Sequence, residues 1–551
     1  MIDKIAARLL LSRAKHPSLR GHARISLRVA KWMPFYEYDE EHLFASDGAA
    51  LETVNRRREG FERLASRLAA RKPKTLAASA ELARGLSDVQ FVDAYRVPYQ
   101  YRRIVAARLP VGSVVEETDG PRLRDLDGNW SWDLGGSYGV NLFGHRFYER
   151  AMESGFARAR KLGVVLGNYS PIVLENVNRL REISGKDEVS FHMSGTEAVM
   201  QAVRLARYHT GRTHLVRFCG AYHGWWDGVQ AGIGNPIPPR HVYTLKEVDE
   251  DTLRVLETRS DVACVLVNSI QALHPNAAPP SDSTLVASDR SARYDRAAYT
   301  RWLHRLRDTC TRRGIVLIID DVFMGFRLAR GGTQEYFGVP ADLVTYGKTL
   351  GGGLPVGVVC GRADLMKRYR DDRPGDVCFA RGTFNSHPVV MGTMNEFLRY
   401  LDSPEAAESY AGLEERWNRR ARELNGLLRE RGLPVLVENL ISVWTTLYTE
   451  PGRYNWMLQY YLRAEGLAPS WIGTGRFIFS HDLGDEDFGE IRDRFVRAAE
   501  AMRADGFLGA DAALTNSSIK RRVLGELLSA ATAGLSRNAR ARRPSGPAIR
   551  P

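Results

Sequence analysis

Beyond Ser190 the chain repeats one pattern: a short run of consecutive apolar residues, then a stretch with helical spacing. The runs are His214–Phe218, Cys264–Asn268, Ile315–Asp320, Leu343–Gly347 and Val356–Cys360. They are nearly continuous in Val, Ile and Leu and show no polar alternation, which predicts strands buried on both faces. Such strands belong to a mostly parallel sheet flanked by helices. Ala198, Val199, Ala202, Val203 and Ala206 share one face of a helix predicted over Thr196–Tyr208. Ahead of this region, Val114–Thr118 and Leu123–Asp127 read as short strands, and Asp127-Gly128-Asn129 as a turn between extended runs. Residues 391–507 read as mixed α/β and end in a helix over Phe488–Ala504.

The first 95 residues read as helical. Phe61, Leu64 and Leu68 recur at helical spacing within Val54–Arg71, and Ile5, Leu9, Leu10 and Leu11 sit among Lys4, Arg8 and Arg13. An acid-poor, Arg-rich start is shared by transit peptides, by helices that lie on a membrane or a partner, and by solvated helical extensions; the last is the expectation here. The chain thus divides into a basic helical extension (1–95), the first part of a small domain (96–175), a large α/β domain (176–390), the rest of an α+β small domain (391–510) and a basic tail (511–551). The tail opens with an amphipathic stretch at Val523–Leu528, and its Ser/Asn/Arg/Pro-rich end predicts disorder.

A net charge of +13 suggests nucleic-acid binding until it is mapped. Residues 1–35 and residues 519–551 each carry +7, which leaves −1 for the chain between them. A balanced body argues against a nucleic-acid face. The basic ends leave open a weak contact with an anionic membrane or a carrier protein. No apolar run reaches the length of a membrane-spanning helix. The five cysteines are scattered and fit neither a disulfide framework nor a zinc site, so no metal is expected and a cytoplasmic location is.

Four local features carry chemistry. Lys348 follows an apolar strand and precedes Gly351-Gly352-Gly353. A lysine desolvated there has a lowered pKa and a nucleophilic amine. Asp320 and Asp321 end the most apolar strand, at the edge that faces a ligand crevice in parallel sheets. Ser194-Gly195-Thr196-Glu197 opens a helix, where free N–H groups and the helix dipole bind anions. Gly220-Ala221-Tyr222-His223-Gly224 puts an aromatic ring and an imidazole at a further strand end.

In that order, and with Gly325-Phe326-Arg327, Gln334-Glu335-Tyr336-Phe337-Gly338 and Gly351–Gly357, these motifs resemble the class III pyridoxal-phosphate aminotransferases of fold type I, most closely the glutamate-1-semialdehyde aminomutase branch. The likeness spans residues 96–510. It implies that Lys348 binds the cofactor covalently and moves a proton, and that Asp320 pairs with the pyridine nitrogen. Val322 and Tyr222 would pack on the two ring faces, with His223 beside the ring. Ser194, Gly195 and Thr196 would bind the phosphate. Thr383 matches a threonine lent by the neighbouring subunit, which implies a homodimer with shared sites.

Departures fall on the substrate side. Gly473 replaces the mutase glutamate, and Asn268-Ser269 a Glu-Pro pair. A Ser/Ala/Asp-rich insertion runs over Pro275–Arg293, and a gating loop is shortened near Ala231–Pro239. Tyr138 replaces a pocket aromatic, and Arg103 falls near the carboxylate-binding arginine in unmatched surroundings. The expectation is an aminotransferase acting on another aldehyde or ketone, in a specialised biosynthetic pathway, with the aminomutase as the alternative.

Overall fold

Sixteen strands form four sheets among the described residues. The computed structural model describes residues 2–17, 21–230, 232–237, 240–276, 292–470, 475–509 and 513–541. Strands β1 (Val115–Asp119), β2 (Arg122–Asp125) and β3 (Trp130–Leu134) form an antiparallel meander. The large domain follows with β4 (Glu188–His192), β5 (His214–Phe218), β6 (Val242–Leu245), β7 (Val262–Val267), β8 (Val316–Asp320), β9 (Leu343–Gly347) and β10 (Gly357–Gly361). A small hairpin pairs β11 (Tyr369–Arg370) with β12 (Arg373–Val377). The last strands are β13 (Val435–Leu440), β14 (Val443–Tyr448), β15 (Leu467–Pro469) and β16 (Arg476–Ile478).

The central sheet has the order β4-β10-β9-β8-β7-β5-β6. Every residue of β7, β8, β9 and β10 is buried, as continuous apolar runs demand. The sheet is parallel except for β10, which runs antiparallel to both β4 and β9. Only residues 348–356 join β9 to β10, too short a link for the crossover that a parallel neighbour needs. β4 and β6 had no counterpart among the predicted runs. Both are sheet edges, and part of each is only half-buried, so neither shows a full apolar run.

The smaller sheets are β1-β2-β3-β15 and β13-β14-β16. One buried side chain ties them to the large domain. Arg327 donates from Nη1 to Ser442 Oγ (2.9 Å) and Phe479 O (2.6 Å), and from Nη2 to Gly139 O (3.3 Å) and Asn141 O (3.2 Å). Burial lowers its pKa to about 10, so it stays charged at neutral pH.

The extension forms helices over Ile2–Ala14, Ala23–Trp32, Glu40–Ala45, Leu51–Arg71, Pro73–Gly85 and Ser87–Tyr95. Phe61, Leu64 and Leu68 are buried as their spacing predicted. Arg57 donates to Gly506 O (2.8 Å), and the N–H of Lys246, just past β6, donates to Ala14 O (2.8 Å). The tail forms a helix over Asn516–Ala541 that buries Ile519 and Val523, and its Glu526 accepts from Tyr36 (3.0 Å), Tyr38 and Arg453 (2.7 Å). The predicted disorder therefore does not apply to residues 516–541; residues 542–551 lie outside the described residues. No helix among the described residues is long and apolar enough to cross a membrane.

Arg327→Leu should leave four buried acceptors without their donor. The expected result is a loss of roughly 2–4 kcal/mol of stability, read as a lower unfolding midpoint in urea; an unchanged midpoint would show that the tie between the domains is not energetically important.

Candidate active site

Asp320 occupies the last position of β8, at the C-terminal edge of the sheet's centre, and is 3% exposed. Its Oδ1 accepts from Val322 N (3.2 Å) and from Thr345 Oγ1 (3.3 Å) on β9. Its Oδ2 contacts His223 Nδ1 at 2.7 Å. Burial lowers the pKa of His223 despite the neighbouring carboxylate. The imidazole is therefore neutral, and with its proton on Nδ1 it donates to the Asp320 carboxylate. His223 Nε2 is buried without a partner.

Asp321 has a different fate. It accepts from Thr333 N (2.8 Å) and from the Thr333 hydroxyl, and burial pushes its pKa up to about 7. It is bound into the domain interior and is not available to a ligand above Asp320.

Lys348 follows β9 with φ 46°, a left-handed conformation that costs a non-glycine residue about 1 kcal/mol or more. Burial lowers the pKa of its amine. Nζ lies 5.6 Å from the centre of the Phe323 ring, and no described carboxylate is within ion-pair distance. Local strain, desolvation and the lack of a salt bridge together make Lys348 a nucleophilic amine in waiting.

The third strand end comes from β4. Ser194 caps the Gly195–Thr210 helix by accepting from Glu197 N (3.2 Å), and Glu197 accepts from Met193 N (2.8 Å). The N–H groups of Gly195 and Thr196 have no helical carbonyl to reach. A Cβ on Gly195 would stand 2.5 Å from Val322 Cγ1, and one on Gly347 would stand 3.1 Å from the same atom. Val322 is thus wedged where the Asp320, Lys348 and Gly195 elements converge. Tyr222, 62% exposed, stands next to His223, and its carbonyl accepts from Asn268 Nδ2 (3.0 Å).

Residues 105–431 match the family described as aminotransferase class-III. The chain belongs to that family. This aminotransferase is 32% identical over 392 residues to a glutamate-1-semialdehyde 2,1-aminomutase of Nitratidesulfovibrio vulgaris (strain DP4), an alignment covering 68% of this chain and 89% of that one. It resembles a solved transaminase with PLP bound (27% identity, TM-score 0.59, covering 72% and 93% of the two chains). It also resembles an omega-transaminase from Sphaerobacter thermophilus (25% identity, TM-score 0.60, covering 72% and 92%).

The cofactor of this aminotransferase is pyridoxal 5′-phosphate, and the site fits it. A buried carboxylate whose oxygens are held by three hydrogen-bond partners suits a protonated ring nitrogen. A desolvated, unpaired lysine suits covalent attachment. A helix N-terminus with two free N–H groups suits a phosphate. Gly139, whose Cβ would stand 2.2 Å from Phe323 Cε2, brings the Gly136–Gly139 loop, and with it Tyr138, against the ring that covers Lys348. Tyr138 itself has φ 58° and is 59% exposed.

Two residues from the motifs stand apart within this chain. Thr383 is exposed. Arg103 is exposed and its Nε lies 3.6 Å from Glu37 Oε2 of the extension. Gly473 lies outside the described residues, as do 277–291 of the insertion and Ala231, Pro238 and Pro239 of the shortened loop.

Phe323 and Arg476 were not singled out from sequence. Phe323 carries no motif. Arg476 follows Gly475 directly as a lone cation entering an apolar strand, and that was a usable signal.

Borohydride reduction of the yellow holoenzyme followed by peptide mapping should place the cofactor on the Lys348 peptide, and Lys348→Ala should abolish turnover; label on Lys246 or another lysine would exclude the assignment. Asp320→Asn should retain the fold by circular dichroism and lower the rate by roughly 10²-fold or more. Near-normal turnover of that variant would remove Asp320 as the ring partner.

Proposed function

We propose that the enzyme moves an amino group between two separate substrates, from a carboxylate-bearing amine donor to an aldehyde or ketone acceptor in a specialised biosynthetic pathway, and that Arg476 anchors a substrate carboxylate. The observation that carries this reading is Arg476 itself. Arg476 is half-buried, burial lowers its pKa to about 10, and its buried Nε has no partner among the described residues. It remains charged at neutral pH, and a partly desolvated cation with no carboxylate beside it among the described residues is unfavourable. A carboxylate matches its planar fork with two hydrogen bonds.

The position supports the role. Arg476 and Ile478 share one face of β16, because side chains alternate along a strand. Ile478 lies against the Gly136–Gly139 loop: a Cβ on Gly136 would stand 3.1 Å from Ile478 Cγ2. That loop reaches Phe323 above Lys348. Arg476 therefore faces the side from which a substrate would approach the amine.

Bound pyridoxal phosphate supplies an electron sink for breaking a bond at the amine-bearing carbon. In this reading Asp320 keeps the ring nitrogen protonated, and His223 holds the Asp320 carboxylate in place by donating from Nδ1. Gly195 and Thr196 offer N–H groups to the phosphate, assisted by the Ser194 segment. Val322 and Tyr222 bound the two ring faces. Lys348 Nζ attaches the cofactor at rest and carries the proton during transfer, while Phe323 keeps water from that amine. Tyr138 shapes the acceptor side.

Exposed Thr383 lies between exposed Phe379 and Phe384, which supports a homodimer in which Thr383 reaches the partner's phosphate site. Five free, buried cysteines support a reducing, cytoplasmic setting. The second reading, an aminomutase giving 5-aminolevulinate, is favoured by the names of the curated relatives. Gly473 and Asn268, where the mutases carry acids, weigh against it.

A carboxylate-bearing donor should convert the bound cofactor to its amine form and release a keto product. Arg476→Gln should raise KM for that donor by roughly 10- to 100-fold and leave uncharged amines little affected. Efficient formation of 5-aminolevulinate from glutamate-1-semialdehyde without an added donor would overturn intermolecular transfer; equal effects of Arg476→Gln on charged and uncharged donors would overturn the anchor.

A further inference from the structure

The second helix of the extension, Ala23–Trp32, has an apolar side that nothing covers among the described residues. Its buried residue is the small polar Ser26, whose Oγ lies 3.5 Å from the position of a Cβ on Gly232, and Ala23, Leu27 and Ala30 beside it are half-buried. On the other side Ile25 is 50% exposed and Trp32 77%, and Phe35 just beyond is 70% exposed. Ile25 and Trp32 are seven residues apart, two helical turns along one face. A helix that serves only as a cover for the main domain would bury that face.

The C-terminal helix adds to the same region. Glu526 is bonded to Tyr36 (3.0 Å) and to Tyr38, directly after Phe35 in sequence. Two residues to either side of Glu526, Leu524 and Leu528 are 55% and 60% exposed. Two helices from opposite ends of the chain thus meet through Glu526 and the Tyr36–Tyr38 segment, and each presents large apolar side chains to solvent.

Cations predominate on the helix itself. No Asp or Glu occurs from residue 4 to residue 36, whereas Arg24, Arg28 and Lys31 lie on the Ala23–Trp32 helix and Lys520 and Arg521 precede Leu524. Acids begin at Glu37, which lies beside Arg103, and Glu526 is bonded to Tyr36, Tyr38 and Arg453 within the chain. A surface of large apolar side chains, including tryptophan, ringed by cations is the chemistry of a helix lying in the headgroup layer of an anionic membrane.

We infer that the Ala23–Phe35 segment, with Leu524 and Leu528, docks this enzyme reversibly on an anionic lipid surface. Trp32 and Phe35 enter the boundary between headgroups and acyl chains, and Arg24, Arg28 and Lys31 contact the lipid charge. Three cations with two aromatics at such a surface give weak attachment that raised salt loosens. The catalytic residues lie in the large domain and do not take part.

The test uses the full-length, cofactor-loaded protein, because deletion of the tail would also break the buried bonds of Glu526. It is co-sedimented with phosphatidylcholine vesicles, either pure or containing about one-third phosphatidylserine. Binding to the anionic vesicles alone, weakened at least about tenfold by raised salt, is expected. Trp32→Ser with Phe35→Ser, and separately Arg24→Gln with Arg28→Gln and Lys31→Gln, should each reduce it at least about tenfold, with circular dichroism unchanged. Negligible binding to the anionic vesicles would overturn the inference. So would binding that neither salt nor the substitutions alter. If Trp32→Ser with Phe35→Ser instead changes the lipid-free oligomeric state, the patch is a contact between copies of this chain and the inference also fails.

Discussion

The site depends on one carboxylate held where water is excluded. Asp320 sits in the middle of a sheet whose neighbouring strands are wholly buried. A buried carboxylate is costly unless its oxygens are hydrogen-bonded. Val322 N, Thr345 and His223 provide those hydrogen bonds. In the proposed reading the ring nitrogen of the cofactor would be the cation that such a carboxylate meets. Strand order does the rest. β9, next to β8, delivers Lys348, and Gly357 on β10 admits the Ser194 carbonyl, from which a Cβ would be only 1.9 Å away.

Asp320 and Asp321 show how little of this lies in residue type. They are adjacent, and both are buried. Asp321 receives its hydrogen bonds from a single residue, Thr333, and its pKa rises to about 7. Because that folded value exceeds the unfolded one, the stability that protonated Asp321 contributes is full below about pH 4 and is lost as pH rises toward 7. Asp320 is held by groups from three elements, the β8 end, β9 and the Tyr222-His223 segment. The two acids at the strand end are thus separated by the partners each one meets: Asp321 is tied into the domain interior, and Asp320 is held at the sheet edge where the proposed cofactor would sit.

Three of the strand-end motifs were legible because parallel sheets place chemistry at the C-terminal edge, and each of the three sits at the end of an apolar run. Asp320, Lys348 and Tyr222 follow that rule; Gly195 follows β4, which shows no such run, and was legible as a helix start instead. The direction of β10 was not legible as apolar content, although the short link before it dictates the reversal. β4 and β6 escaped because edge strands do not need two apolar faces. Arg103 was placed by its nearness in sequence to a family position, but its neighbour in space is Glu37, from an extension that the family pattern does not cover. Arg476 belongs to none of the strand-end motifs, and its signal is a lone cation directly after Gly475 at the start of an apolar strand.

The added 95 residues bear on that side of the site. Arg71 of the extension donates to Ala464 O (3.0 Å) and Trp130 O (3.4 Å), and the carbonyl of Arg96 accepts from Gln459 (2.9 Å). The helix Leu458–Ala464 leads through β15 to Ser470, the last described residue before the segment that ends at Arg476. Arg463 of that helix fixes Pro469 O at 3.0 Å. The extension therefore braces the helix and strand that precede residue 470, whereas Arg327 braces β16 from the large domain through Phe479. The Gly136–Gly139 loop is seated between such fixed elements, against Ile478 of β16 on one side and Phe323 on the other. Tyr138, one of the departures from the family pattern, thus stands on a loop whose supports are set by the fold around it.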